Sequence, residues 1–268
     1  MMRTGLALIG DHRIAHSPSP AIHDAIFGAG TYTLMACDDA DAAFACAEAS
    51  LRGVNVTAPH KLAAATRYRE VLDETARRVG AVNTVVYDDA GRATLATNTD
   101  VAGLLEAWRR AAIAVEGQTV GIIGAGGAAR AVVVAARDAG AARVVVHARS
   151  RDRADELVRL AAAVGLDGTV AEPGSVPASL VIVAVSDLDD VDGWLSRAVG
   201  AVGAVHDLRY GIRAHATRNA SLQRGLNFID GTSMLLGQAV ASAAHFAGGP
   251  LRAGARNAAG RALAAALR

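Results

Sequence analysis

Gly124-Ala125-Gly126-Gly127-Ala128 joins a strand-like run, residues 119–123, to a helix-like run, residues 128–139. A glycine turn at such a junction lets backbone N–H groups approach a pyrophosphate at the helix N-terminus, where the dipole favours negative charge. Glycine patterns alone are weak in a chain so rich in Gly and Ala. Here strand, turn, helix and a second strand (142–148) follow in the order a dinucleotide unit requires. The plain alternative is a tight turn with no ligand. The second strand ends in His147-Ala148-Arg149-Ser150-Arg151-Asp152-Arg153. A site for NAD usually places Asp or Glu there to hold the ribose 2′-hydroxyl. No acid occupies this strand end, whereas Arg149 and Arg153 can clasp a 2′-phosphate and Ser150 adds a donor. A solvated basic turn is the alternative, but the missing acid and the added arginines both point to NADP.

Other polar groups precede and follow that turn. In His16-Ser17-Pro18-Ser19-Pro20 both serines stand before prolines, which pushes them towards extended conformation. Residues two apart on an extended segment point the same way. Ser17 and Ser19 would then present paired hydroxyls to a carboxylate or polyol, unless Ser19 merely caps a helix opened by Pro20. In Gly53-Val54-Asn55-Val56-Thr57-Ala58-Pro59-His60-Lys61 a strand ends at Thr57 and Lys61 falls in the first turn of a helix. A cation there opposes the helix dipole, so helix stability does not favour it. Position alone leaves Lys61 open between a solvated surface lysine and an acid/base group. Asn83 follows the run Ala81-Val82, and Asp100 in Thr97-Asn98-Thr99-Asp100 reads by default as the N-cap of the next helix. Tyr210, in Asp207-Leu208-Arg209-Tyr210, follows a buried-strand pattern, the end at which open α/β sheets present ligands. Gln238 lies where a turn from Asp230-Gly231 enters a helix, and an ordinary helix-surface glutamine is its alternative.

The elements that must position these groups alternate. Strand-like runs are expected at residues 6–10, 32–36, 53–57, 81–87, 93–97, 180–185 and 204–207. Helical runs are expected at 21–27, 40–51, 61–79 (one or two helices) and 101–114. Asp88-Asp89-Ala90-Gly91 reads as a hairpin turn. This alternation implies α/β architecture with mainly parallel sheets. Because the dinucleotide unit opens only near residue 121, the residues before it must form something else. The simplest arrangement is an N-terminal substrate domain followed by a cofactor domain, with the site in a cleft between them.

Composition excludes several classes. The chain has 268 residues, with 27 basic and 26 acidic side chains and a formal net charge of +1, which argues against a nucleic-acid footprint. Its two cysteines, Cys37 and Cys46, make neither a disulfide framework nor a zinc spacing, so no metal is expected and a reducing cytoplasm is. The first ten residues read as a strand rather than a signal peptide, and no apolar stretch is long enough to span a membrane.

Taken together, these segments resemble the shikimate dehydrogenase family. The matching pieces run in family order: His-Ser-Pro-Ser-Pro, Gly-Val-Asn-Val-Thr-Ala-Pro-His-Lys, Gly-Ala-Val-Asn-Thr, Asn-Thr-Asp, Gly-Ala-Gly-Gly-Ala, Asp-x-x-Tyr and Asp-Gly-x-x-Met-Leu-x-x-Gln. The resemblance implies a two-domain α/β protein with a deep cleft. Residues 1–101, completed by helices in 231–268, would form the substrate domain, and residues 102–230 a Rossmann NADP-binding domain. It implies interconversion of 3-dehydroshikimate and shikimate by a monomer or homodimer. Lys61 and Asp100 would be the catalytic pair, which moves Asp100 from cap to catalyst. Ser17, Ser19 and Tyr210 would hold the carboxylate, and Thr57, Asn83, Asp100 and Gln238 the ring hydroxyls. Gly124, Ala125, Gly126, Gly127, Ala128, Arg149, Ser150, Arg153 and Gly231 would bind NADP.

Three departures stand out. The family's Asn-Ala-Thr/Ser segment beside the nicotinamide reads Val183-Ala184-Val185-Ser186-Asp187-Leu188 here. The glycine usual after Asn-Thr-Asp is Val101, and the Thr-Pro that usually follows the tyrosine is His215-Ala216. They point to a divergent branch with slower turnover or a shifted substrate, such as quinate or aminoshikimate. A non-catalytic sensor of shikimate-like metabolites is the alternative of another class. Retention of Lys61 and Asp100 argues for an enzyme.

Overall fold

Valine, isoleucine and leucine cluster in short runs that fold as strands with both faces covered. A computed structural model describes residues 3–171 and 178–268. In chain order the N-terminal elements are β1 (Leu6–Gly10), α1 (Ser19–Phe27), β2 (Tyr32–Ala36), α2 (Ala40–Ser50), β3 (Gly53–Val56), α3 (Lys61–Arg67), α4 (Glu74–Val79), β4 (Thr84–Tyr87), β5 (Ala93–Thr97) and α5 (Asp100–Arg110). They are followed by β6 (Thr119–Ile123), α6 (Gly127–Asp138), β7 (Arg143–His147), α7 (Arg151–Ala163), β8 (Asp167–Val170), β9 (Ala178–Val183), α8 (Val191–Ala198) and β10 (Val199–Asp207). The chain closes with α9 (His215–Gln223), β11 (Asn227–Ile229), α10 (Thr232–Ala247) and α11 (Ala255–Ala266).

These elements form two compact units. The first comprises residues 3–103 with 236–268, and the second residues 104–171 with 178–235. In the first unit a five-stranded sheet runs β2-β1-β3-β4-β5. β1 is parallel to β2 and β3, whereas β3-β4 and β4-β5 are antiparallel. The Asp88–Gly91 turn makes the last pair possible: Gly91 takes φ +83 and its N–H returns to the Asp88 carbonyl at 2.9 Å. In the second unit six strands run β11-β10-β9-β6-β7-β8, all parallel. Fully buried Ile122, Val146, Ile182 and Val205 show why its central strands read as continuous apolar runs.

Helix starts follow local chemistry. Asp39 and Asp73 cap α2 and α4 with their carboxylates. The Asp73 cap splits the expected 61–79 helix into α3, a short 3-10 turn at Arg69–Val71, and α4. α1 begins at Ser19, earlier than residue 21, because Pro20 fits an opening turn where no N–H bond is required. α5 ends at Arg110, short of residue 114. β8 and β11, the two edge strands of the second sheet, are elements the sequence reading did not contain. Among the described residues no helix is long and apolar enough to cross a membrane.

Candidate active site

Lys61 owes its place to the turn that ends β3. Thr57 donates its N–H to the Ile9 carbonyl at 2.8 Å, extending the sheet by one residue, and His60 donates to the Thr57 carbonyl at 3.0 Å. The Ala58–Pro59 bond is cis, and α3 starts directly at Lys61. Lys61 Nζ then donates to Asp100 Oδ2 at 2.6 Å, with 14% and 5% of the two side chains exposed. Charge, short distance and burial combine in this contact. The exposed edge of the Lys61 ammonium leaves a route for a proton.

Asp100 is not the helix cap that its position suggests. Thr99 holds the cap position, and the Asn98 side chain satisfies the first helical N–H, accepting from Asp100 on Oδ1 at 3.0 Å while its Nδ2 donates to the Ala81 carbonyl at 2.9 Å. Both carboxylate oxygens of Asp100 are thereby released to side chains: Oδ2 to Lys61, and Oδ1 to Asn83 Nδ2 at 2.8 Å. Asn83, only 2% exposed, also donates to Thr99 Oγ1 at 3.0 Å. Its Oδ1 accepts from the Thr99 N–H at 2.8 Å and from Thr84 Oγ1 at 2.9 Å. A primary amide has two N–H donors and two acceptor positions, and all four are taken. In this geometry Asn83 orients Asp100 and Thr99. Thr99 is a candidate site residue that the sequence reading missed. Its hydroxyl accepts from Asn83 Nδ2 at 3.0 Å and lies within donating distance, 3.2 Å, of Asn83 Oδ1. Its position directly before the acid in Asn98-Thr99-Asp100 was the available signal.

Ser17 is extended (φ −68, ψ 133), as a residue before proline should be, but Ser19 is not, because it begins α1. The two hydroxyls meet nonetheless: Ser17 Oγ donates to Ser19 Oγ at 3.0 Å, and the Ser19 N–H donates to Ser17 Oγ at 3.3 Å. Ser19 is not a helix cap, since Pro18 occupies that position. Thr57 is half-buried beside this strand end. Gln238 is half-buried on α10.

In the second unit β6 ends at Ile123 and Gly124 turns the chain at φ +120. A Cβ on Gly124 would lie 2.7 Å from the Ala184 carbonyl oxygen and 2.8 Å from Val185 Cγ1. The first glycine therefore lets the Val183–Leu188 segment approach. Gly126 caps α6, and a Cβ there would meet nothing within 4 Å. The space over the start of this helix, with Ala125 before it and Gly127 and Ala128 behind, can receive a phosphate group. At the next strand end Ser150 caps α7, accepting the Arg153 N–H at 3.4 Å. Arg149 and Arg153 are exposed and make no ion pair among the described residues. These groups fit a nicotinamide dinucleotide bearing a 2′-phosphate.

Tyr210 follows β10, half-buried, with the Arg213 guanidinium 5.7 Å from its ring centre. Burial pushes its phenol above the ordinary tyrosine range. A buried lock that the sequence reading did not foresee holds the turn before it. Asp207, with no exposed side-chain surface, accepts from the Arg209 N–H and Nε at 3.0 Å and from Nη2 at 2.7 Å. Arg209 also donates to Thr217 Oγ1 at 2.8 Å. Gly231 docks on the same turn: its N–H bonds the Arg209 carbonyl at 2.9 Å, and a Cβ would stand 2.1 Å from the Leu208 oxygen. Among the described residues no cluster of His, Cys, Asp or Glu is placed to hold a metal ion.

Comparison with known proteins agrees with this picture. Residues 8–85 match the family described as Shikimate dehydrogenase substrate binding domain. A shikimate dehydrogenase (NADP(+)) of Moorella thermoacetica is 41% identical over 62% of this chain and 58% of its own length. One from Methylobacterium radiotolerans is 37% identical over 88% of this chain and 89% of its own length. Among solved structures, shikimate 5-dehydrogenase from Thermus thermophilus in complex with NADP(H) and shikimate is 30% identical. The match covers 100% of both chains with a TM-score of 0.78.

Proposed function

This chain belongs to the shikimate dehydrogenase family, and from that premise we propose that it interconverts 3-dehydroshikimate and shikimate with NADP(H). The observation that carries the proposal is the buried Lys61–Asp100 contact at 2.6 Å, with Asn83 holding the second carboxylate oxygen. Bound NADP supplies the hydride acceptor or donor. The protein's own part is proton transfer and orientation. In reduction Lys61 gives a proton from Nζ to the carbonyl oxygen that becomes the ring hydroxyl, and in oxidation it takes that proton back. Asp100 holds Nζ in place and accepts from a neighbouring ring hydroxyl. Ser17, Ser19 and Tyr210 donate to the ring carboxylate. Thr57 and Gln238 bind ring hydroxyls. Asn83 acts on the ring by orienting Asp100 and Thr99. Gly124 to Ala128 receive the pyrophosphate, Arg149, Ser150 and Arg153 the 2′-phosphate, and Gly231 lies along the cofactor.

Support for NADP over NAD lies in the unpaired, exposed Arg149 and Arg153 at a strand end that lacks an acid. Support for shikimate over quinate lies in the paired serine hydroxyls. Quinate carries an extra hydroxyl on a tetrahedral carbon at the carboxylate, which would crowd that pair. The test is steady-state kcat/KM of the purified chain on both acids with both cofactors. Shikimate with NADP⁺ should give the highest value. A shikimate-to-quinate ratio at or below one sinks the substrate assignment, and a folded chain that turns over neither acid sinks the oxidoreductase reading in favour of a metabolite sensor.

A further inference from the structure

Asp100 is the end point of a buried chain of side-chain hydrogen bonds, of which the proton-transfer scheme uses only the last link. Tyr32 on β2 donates its hydroxyl to Asn55 Oδ1 at 2.8 Å. Asn55 on β3 donates Nδ2 to Thr84 Oγ1 at 3.0 Å and to the Asn83 carbonyl at 3.2 Å. Thr84 on β4 donates to Asn83 Oδ1 at 2.9 Å, and Asn83 donates to Asp100 Oδ1 at 2.8 Å. All five side chains are buried. The Tyr32 ring is itself fixed by stacking on His23, with ring centres 4.2 Å apart.

Two backbone groups set the direction of every bond. The Asn83 carbonyl can only accept, so Asn55 turns Nδ2 towards it and Oδ1 towards Tyr32, which must donate. Thr84 accepts from Asn55 and has one proton, which goes to Asn83 Oδ1. The Thr99 N–H can only donate, so Asn83 turns Oδ1 to it and Nδ2 to Asp100. All donors then point towards the carboxylate, and aligned hydrogen bonds polarise one another in a dry interior.

We infer that Thr84, backed by Asn55 and Tyr32, is a positioning residue for the acid/base pair: by loading the Asn83 oxygen it strengthens the Asn83 donation that keeps Asp100 Oδ2 aimed at Lys61. The inference rests on the reading of Lys61 and Asp100 as that pair. Neither Thr84 nor Tyr32 is bonded to Lys61 or Asp100, so their effect must travel through Asn83.

Thr84→Val removes the hydroxyl at near-constant shape. It should lower kcat about fivefold, the scale of one neutral hydrogen bond, while KM for the ring acid moves by less than about threefold. Thr84→Ser should restore kcat to within about twofold. Tyr32→Phe, one link further away, should show a smaller fall of about threefold with the same unchanged KM. The inference is overturned by a Thr84→Val kcat within twofold of wild type, by no rescue with serine, or by a loss that tracks only the fraction of folded protein. A wild-type chain that oxidises no ring acid would refute the functional reading instead. The Asn83 side-chain amide resonances in a ¹H–¹⁵N spectrum would then decide the matter. They should move in Thr84→Val and hold in Thr84→Ser, and unmoved resonances in Thr84→Val would overturn the chain.

Discussion

His206 offers a stability prediction whose size follows from its surroundings. It lies on β10 with no exposed surface, and its Nδ1 accepts the indole N–H of Trp108 at 3.1 Å. An indole nitrogen only donates, so Nδ1 must be unprotonated in the folded chain. Burial is the main cause that lowers the His206 pKa from 6.5 to about 4, against the opposing pull of Asp207 and Asp230. The unfolded chain takes up a proton as pH falls through 6.5, and the folded chain does not until about 4. Between those values the unfolded state binds more protons, so stability is full above pH 6.5 and falls as pH drops. At pH 5 the gap from the unfolded value corresponds to a loss of about 2 kcal/mol from this one side chain.

His206→Asn keeps an oxygen that can accept from Trp108 but cannot titrate. The variant should be less stable than wild type at pH 8 by about 1–3 kcal/mol, from lost ring packing. Its further loss between pH 8 and pH 5 should be smaller than that of wild type by about 2 kcal/mol. Both tryptophans, Trp108 and Trp194, lie in the second unit, so urea unfolding followed by tryptophan fluorescence reports the unit that contains His206. His147, whose pKa burial also lowers, is present in both proteins and cancels in the difference. Equal losses in variant and wild type, within about 0.5 kcal/mol, would refute the argument, because a buried neutral histidine must appear in this window.

Lys61→Ala should lower kcat by about 10²–10⁴-fold, the usual worth of a positioned acid/base group, with a much smaller change in KM; an unchanged kcat with a raised KM would make Lys61 a binding residue only. Arg149→Ala should raise KM for NADP(H) about tenfold or more and leave KM for NAD(H) nearly unchanged, since only the former carries the 2′-phosphate; equal effects on both would remove Arg149 from that role. Gly231→Ala should destabilise the second unit by about 1–3 kcal/mol, because its Cβ would meet the Leu208 oxygen at 2.1 Å. An unchanged urea midpoint would show that the turn after β10 gives way freely.

What the sequence made legible depended on whether a signal was local. β1, β2, β5 and β6 have the bounds their apolar runs imply. β8 and β11 escaped because edge strands are half exposed: Asp167–Val170 and Asn227–Ile229 lack a continuous apolar run. Ser17 and Ser19 were read as a pair for a partly wrong reason, since the turn into α1 brings their hydroxyls together without Ser19 being extended. Asp100 misled in a more instructive way. Its position argued for a cap, and only the family resemblance argued otherwise. The structure supplies the physical reason. Asn98, two residues earlier, takes the Asp100 N–H and leaves the carboxylate to Lys61 and Asn83. In Asn-Thr-Asp the second polar residue serves the helix start, so the acid is available to side chains. The chain behind Asp100 had no local signal at all. Tyr32, Asn55 and Thr84 are 23 and 29 residues apart, and only the sheet unites them, pairing Asn55 directly opposite Thr84. Buried polar side chains on strands that pattern reading marks as apolar must be satisfied by one another. In this fold the mutual satisfaction runs in one direction and terminates on the group proposed to hold the catalytic lysine.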